Sequence, residues 1–245
     1  MSCVLQIDAG NSAAKWRRVD HGRALKSGRA QLDDGASMAV LAAAAEGVDA
    51  IWLASVLAPS DEDRLAGFLA EQVRAPVERL RAERACAGVI NSYEDPSRMG
   101  VDRWLALLAA RRRHDGRLCV VDAGTALTID FLSAEGVHEG GFIIAGRRLL
   151  ESALFQGTGR VREGEPGWPL SPGRNTAAAV SGGASLCMVG ALREALRQAG
   201  DPAPALIVTG GDGPALVEAA ALPALQFTDL VFEGMEVAMG ARIPA

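Results

Sequence analysis

Aromatic side chains are scarce, at 4% of the chain with a single tyrosine, so the interior has to be built from aliphatic and small residues. Cysteines are few as well. Cys3, Cys86, Cys119 and Cys187 stand too far apart for a C-x₂-C metal spacing, and disulfide frameworks belong mostly to smaller secreted chains. Free thiols in a reducing compartment are expected. No apolar run approaches the roughly 18 residues of a membrane span, and the N-terminus lacks the basic region of a secretory signal. These absences predict a cytoplasmic protein with no membrane association. An excess of positive charge is also missing. The formal net charge of -5 excludes a global pull toward polyanions and leaves no expected role for nucleic acid. The one short basic run, Arg111-Arg112-Arg113, follows the apolar stretch from Trp104 to Leu108 and reads as the last turn of a helix, where cations offset the dipole. The P-loop pattern G-x-x-x-x-G-K-[ST] is absent, so that phosphate-binding device is excluded.

Glycine, in contrast, is plentiful, with 28 residues spread along the chain, and it marks an internal echo. The strand-like Val4-Leu5-Gln6-Ile7 stops at Asp8-Ala9-Gly10-Asn11-Ser12 and continues as Ala13-Ala14-Lys15-Trp16-Arg17. Farther on, Leu118-Cys119-Val120-Val121 stops at Asp122-Ala123-Gly124-Thr125 and resumes from Ala126 to Phe131. A unit that occurs twice, about half a chain apart, predicts two related halves, residues 1–115 and 116–245. Between the turns, helices are predicted over 38–45 and 64–71 and a buried strand over 50–55. The second half reads as a strand over 140–146, a helix over 147–155, a loop over 156–174 and a long helix over 176–198. A strand over 205–208 ends in Thr209-Gly210-Gly211-Asp212-Gly213, and a terminal helix covers Met235 to Met239. Such alternation predicts an α/β fold with two lobes around a cleft.

A turn that sets glycine beside a hydroxyl residue lets backbone N–H groups approach a polyphosphate, and its Asp can face a metal. Phosphoryl transfer needs carboxylates for Mg²⁺, donors for the phosphates and a base near the attacking hydroxyl. Asp8, Asn11, Ser12 and Lys15 supply one such set. A single D-x-G triplet is an ordinary strand-end turn. Two copies, with Thr209-Gly210-Gly211-Asp212 after a third strand, point to a nucleotide cleft. In Gly100-Val101-Asp102-Arg103, Asp102 can accept a proton from a substrate hydroxyl and Arg103 can bind a carboxylate or phosphate. The alternative is that Asp102 is simply a favourable acid in a first helical turn.

Taken in order, Asp8-Ala9-Gly10-Asn11-Ser12, Gly100-Val101-Asp102-Arg103, Asp122-Ala123-Gly124-Thr125 through Asp130, Gly140-Gly141-Phe142-Ile143, Asn175-Thr176 and Thr209-Gly210-Gly211-Asp212 span nearly the whole chain. In this set the chain resembles the type III pantothenate kinases of the acetate and sugar kinase, Hsp70 and actin superfamily. The resemblance implies two ribonuclease-H-like, actin-like ATPase lobes with a nucleotide cleft between them. It implies ATP bound by Asp8, Ala9, Gly10, Asn11, Ser12, Ala13, Ala14, Lys15 and Thr125, with Mg²⁺ near Asp8. Pantothenate would meet Tyr93, Gly100, Val101, Asp102, Arg103 and Thr176, with Asp102 as general base. Asp122 would help hold a monovalent cation, K⁺ or NH₄⁺, and a second subunit would close the pocket of a homodimer.

The implied reaction is ATP-dependent phosphorylation of pantothenate to 4'-phosphopantothenate, the first step of coenzyme A biosynthesis. A nucleotide-responsive binding protein of the same fold, or a kinase of another small alcohol, are the alternatives. Packing competes with a pocket role for Tyr93, helix capping with substrate binding for Thr176, and simple solvation with phosphate binding for Lys15. Two positions depart from the family pattern. Ser12 stands where threonine is common, and Ala145 where the strand usually leads into proline.

Overall fold

The computed structural model describes residues 3–11, 13–73, 75–157 and 167–242. Ser12 therefore lies outside the described residues, as does much of the glycine- and proline-rich stretch expected as a loop. Contacts divide the chain into two units. One comprises residues up to 87, 93–109 and from 231 onward, and the other 88–92 and 110–230.

The first unit opens with β1 (Val4–Ala9), antiparallel to β2 (Ala13–Asp20), which is antiparallel to β3 (Arg23–Gln31). Helix α1 (Gly35–Ala45) leads to β4 (Ala50–Ser55), parallel to β1, and α2 (Pro59–Gln72) leads to β5 (Val77–Arg79), parallel to β4. The sheet order is β3-β2-β1-β4-β5. Leu5, Ile7, Ile51 and Leu53 of the central strands are fully buried and pack with Leu41 of α1 and Leu65 and Leu69 of α2. Asp34 caps α1 by accepting from Ser37 N at 2.8 Å, and hydrogen bonds from Ser37 hold its carboxyl below the usual range. α2 begins five residues before the predicted stretch. Its first turn is Pro59 with Asp61 and Glu62, a start signal that apolar periodicity does not show. β3 was not anticipated, because most of it is exposed and polar. It is held as an edge strand partly by Trp16, whose ring covers Gly28 so closely that a Cβ there would lie 2.6 Å from the indole.

Short strands β6 (Ala85–Cys86) and β7 (Val89–Ile90) follow, then a 3₁₀ turn over Pro96–Arg98 and α3 (Val101–Arg113). The three arginines do end this helix. Arg111 Nη1 donates to the carbonyls of His114, Asp115 and Gly116 at 3.3, 2.6 and 3.1 Å, satisfying groups beyond the last turn.

The second unit repeats the plan. β8 (Leu118–Ala123) is antiparallel to β9 (Ala126–Leu132), and β9 to β10 (His138–Ala145). Helices α4 (Arg147–Gly157) and α5 (Thr176–Ala199) precede β11 (Ala205–Thr209), which is parallel to β8. Then come α6 (Gly213–Ala220) and β12 (Leu225–Gln226), parallel to β11. The order β10-β9-β8-β11-β12 is that of the first sheet. The echo in the sequence is therefore a repeated ribonuclease-H-like sheet, in the α/β fold expected. Its core gathers Val121, Leu127, Ile129, Met188, Leu192, Val208 and Leu216. Gly182 and Gly183 do not interrupt α5, and a Cβ on Gly182 would stand 3.3 Å from the Ser171 carbonyl, so that glycine admits a neighbouring segment.

Helix α7 (Leu230–Arg242) returns to the first unit almost entirely. Arg17 Nη2 donates to Glu236 Oε1 at 2.8 Å, and its guanidinium lies 5.0 Å from the Phe232 ring centroid. Gly234 rests on the backbone of α3, where a Cβ would meet Leu105 O at 2.0 Å. The packing units interleave along the chain, since 88–92 join the second unit, the change within α3 falls between 109 and 110, and residues from 231 onward join the first. Among the described residues, no helix is long and apolar enough to cross a membrane.

Candidate active site

The β1–β2 turn lies at the carboxyl ends of the parallel strands β1 and β4, the edge at which open α/β sheets bind ligands. Asp8 pairs with Lys15 across the hairpin and with Ala54 on its other side. Gly10 N–H closes the turn by donating to Ala13 O at 3.1 Å, and Ala9 O accepts from Val56 N at 3.1 Å. Ala9, Ala13 and Ala14 are buried, Asp8 and Gly10 half-buried, and Asn11 and Lys15 exposed. Small residues thus hold the turn while its polar groups stay accessible. Asn11 also borders a pocket of about 730 Å³ with Leu32, Met38, Leu57, Arg64 and Phe68.

In the second unit the matching turn is clasped from two sides. Gly124 N–H donates to Ala126 O at 2.9 Å, Gly146 N–H to Thr125 O at 2.9 Å, and Asp212 N–H to Ala123 O at 2.9 Å. Gly210 has φ +89°, and a Cβ on it would lie 2.3 Å from Ala123 O and 2.4 Å from Asp122 Oδ1. A Cβ on Gly146 would lie 2.2 Å from Gly124 O. Asp122 is half-buried and Thr125 exposed. The strand containing Ala145 keeps its pairing with Ala126, so the departure from proline leaves the register intact. Sequence reasoning recognised the Thr209 to Asp212 motif but missed that it packs on the Asp122 turn.

Tyr93 and the Gly100 to Arg103 motif come together in the first unit. α3 starts with Trp104 N–H donating to Gly100 O at 3.0 Å. A Cβ on Gly100 would stand 2.6 Å from Asp102 Oδ1, so the glycine makes room for the carboxylate, which accepts from Arg103 N at 2.8 Å. Arg103 is 6% exposed, and its Nη1 donates to the Tyr93 hydroxyl at 2.8 Å. Arg84, which sequence reasoning missed, fixes the tyrosine's main chain by donating to the Tyr93 and Glu94 carbonyls at 2.7 Å each. No local pattern marks Arg84, because its partners are nine and ten residues away in a loop.

A cavity of about 360 Å³ borders Gly100 and Val101 and is also lined by Ser55, Arg79, Arg81 and Met99. Glu62, 6% exposed, lies on its wall with Arg79 Nη1 at 3.5 Å and an ion pair to Arg81.

Thr176 is the first residue of α5, and the cap is its neighbour Asn175, whose Oδ1 accepts from Ala178 N at 2.8 Å. The Thr176 side chain is exposed and is not spent on capping. Thr176, Thr125 and Asp122 belong to the second unit, while Asp8 to Lys15, Tyr93 and Gly100 to Arg103 belong to the first.

Among the described residues, no three His, Cys, Asp or Glu side chains form an all-protein metal site. Mg²⁺ in phosphoryl-transfer sites is held through one or two carboxylates with substrate phosphates supplying other ligands, so single carboxylates at strand ends fit that donor set. Asp8, at the end of β1, is such a carboxylate, and Asp122 holds the matching position on β8 beside the turn that Gly210 and Gly146 clasp.

The family model for type III pantothenate kinase matches residues 4–198. A type III pantothenate kinase of Halorhodospira halophila is 38% identical over 242 residues, covering 94% of this chain and 95% of the relative. One from Pseudomonas putida is 37% identical over 246 residues, covering 96% and 98%. A solved structure from Campylobacter jejuni, assigned in name to the Baf family of transcriptional activators, shares the fold with a TM-score of 0.63 at 22% identity, covering 97% of this chain and 98% of that one. On the strength of the family match and of relatives alike from end to end, the chain belongs to the type III pantothenate kinase family.

Proposed function

We propose that this protein transfers the γ-phosphoryl group of ATP to the primary alcohol of pantothenate, giving 4'-phosphopantothenate in the first step of coenzyme A biosynthesis. Family membership over nearly the whole chain carries this reading. In the proposed mechanism the Asp102 carboxylate accepts the alcohol proton as the oxygen attacks the γ-phosphorus. Arg103, oriented by the Tyr93 hydroxyl at 2.8 Å, binds the substrate carboxylate through its planar fork. Gly100 and Val101 line the same substrate site, and Thr176 adds a hydroxyl contact. The turn from Asp8 to Lys15 and Thr125 hold the nucleotide. Asp8 would hold Mg²⁺ and Asp122 a K⁺ or NH₄⁺ ion, and bound cations offset phosphate charge.

The protein is proposed to act in the cytoplasm as a homodimer. What supports the dimer is apolar surface on the second unit. Phe142 and Ile143 on β10 are 43% and 64% exposed, and Leu149 and Leu154 on α4 and Leu186 on α5 are exposed too.

The test is mass spectrometry of products formed from ATP, Mg²⁺ and a panel of alcohols, with and without K⁺. The expected result is one phosphoryl group added to pantothenate, with K⁺ raising the rate. Phosphorylation of a different alcohol, or ATP binding with no phosphorylated product, would overturn the assignment.

A further inference from the structure

Three residues that the kinase mechanism does not use stand in line in the second unit. Asp130 on β9 and His138 on β10 are 2% and 1% exposed, and His138 Nε2 lies 2.9 Å from Asp130 Oδ1. The other ring nitrogen, Nδ1, is 3.1 Å from Oγ of Ser92, a residue open to solvent. An ionised carboxylate can only accept, so in the neutral imidazole Nε2 carries the hydrogen and Nδ1 presents its lone pair. The Ser92 hydroxyl then donates to Nδ1.

Backbone contacts build this line. A register shift between His138 and Gly140 sets His138 opposite Leu132, one step out of the regular β9–β10 pairing. Ile90 N–H donates to Gly136 O at 2.8 Å and Ile90 bridges Val137, which brings the segment ahead of Ser92 alongside the β9–β10 turn. Gly136, at φ +86°, fits against Gly88 so tightly that a Cβ would lie 2.0 Å from the Gly88 carbonyl oxygen. The approach of the 88–92 segment is therefore set by the main chain as well as by the Ser92–His138 bond. The acid and base are shielded from water while the hydroxyl is exposed, and the order of hydroxyl, base and orienting carboxylate is that of an activated nucleophile.

We propose that Ser92 is a nucleophile activated by His138 and Asp130, reactive toward activated acyl and phosphonyl groups and independent of the kinase reaction. With an activated ester, Ser92 Oγ bonds to the carbonyl carbon and its proton passes to His138 Nδ1. The carbon–oxygen bond to the leaving alcohol breaks, and the alcohol departs with that proton. Water, deprotonated by the same nitrogen, then releases the acyl group as a carboxylic acid and restores Ser92. Asp130 holds the ring in the required tautomer and stabilises the imidazolium.

The experiment is labelling of the full-length protein with an alkyl fluorophosphonate, followed by site-resolved peptide mass spectrometry against time. In that reaction the Oγ–P bond forms, fluoride leaves and the proton goes to Nδ1. General-base assistance contributes roughly 10²–10⁴-fold. Ser92 is therefore expected to label at least ~10²-fold faster than Ser27 and Ser60, exposed serines on β3 and α2. Ser92→Ala should abolish the fast label, and Asp130→Asn, checked for folding by its melting curve, should slow it by at least ~10-fold. Labelling of Ser92 at the rate of Ser27 and Ser60, or an unchanged rate in folded Asp130→Asn, would overturn the proposal. Should Asp130→Asn fail to fold, the contrast among serines in the wild-type protein decides the matter alone.

Discussion

Gly210 and Gly211 are adjacent, yet alanine at the two positions should have very different effects. Gly210 adopts φ +89°, whereas Gly211 does not share that conformation and has nothing within 4 Å of where a Cβ would stand. A left-handed backbone costs a residue with a Cβ about 1–2 kcal/mol. At Gly210 the added carbon would also stand 2.3 Å from Ala123 O and 2.6 Å from Ala123 C, which are backbone atoms that cannot swing away like a side chain. Forced packing of that kind costs about 1–3 kcal/mol. Together the two effects amount to roughly 2–5 kcal/mol, and at ~2–4 °C per kcal/mol for a chain of this size the melting temperature of Gly210→Ala should fall by roughly 4–20 °C. Gly211→Ala should stay within about 2 °C of wild type. Thermal unfolding followed by far-ultraviolet circular dichroism measures both. The added carbon would stand 2.4 Å from Asp122 Oδ1, so under the proposed cation role of Asp122 the response of turnover to K⁺ should weaken in that variant alone. Matching melting curves for the two variants would refute the clasp described for this turn.

Asp102→Asn should lower turnover by roughly 10²–10⁴-fold with an unchanged melting curve, as measured by ADP release. Tyr93→Phe removes the acceptor that Arg103 Nη1 meets at 2.8 Å, and should raise the KM for pantothenate by about tenfold or more while altering kcat less. Asn175→Ala should cost about 1 kcal/mol of stability through the lost α5 cap, whereas Thr176→Val should leave stability within about 0.5 kcal/mol and raise the KM for pantothenate, as read from paired melting and kinetic measurements. Burial, with a smaller contribution from Asp130, pushes the Cys119 thiol from its ordinary 9.0 up to about 12. In a thiol-reagent titration at pH 8, exposed Cys187 should react first and Cys119 only on unfolding. Because the folded state keeps the Cys119 proton where the unfolded chain gives it up, its contribution to stability is present below about pH 9 and is lost as the pH rises toward 12.

The two Asp-Ala-Gly turns were legible because central strands of such sheets are buried runs of Val, Leu and Ile that glycine ends abruptly, as in Val4–Ala9 and Leu118–Ala123. Peripheral elements were not. β3 has the sequence RALKSGRAQ, with little apolar alternation, and β12 is only two residues long, so neither leaves a periodic trace. Helix α6 was missed because it follows the glycine-rich Thr209 to Gly213 stretch at once and spans only eight residues. The Gly100 to Arg103 motif was visible as contiguous sequence. Its link to Arg84, and the alignment of Ser92, His138 and Asp130, arise from loop closure and strand register, which bring together residues 8 to 46 positions apart. Thr176 was correctly placed at a helix start, but only the backbone distinguishes it from the residue that caps that start.

Helix α7 has a consequence for the order in which the protein can be completed. Its Gly234 seat on Leu105 and the pairing of Arg17 with Glu236 join residues of α7 to residues made far earlier in synthesis. During synthesis the first sheet must wait, with part of its surface uncovered, until the second sheet has been made and α7 has left the ribosome. Maturation of the first unit is thereby tied to the synthesis of α7, and a message cut short before that helix yields a first unit with part of its surface unfinished.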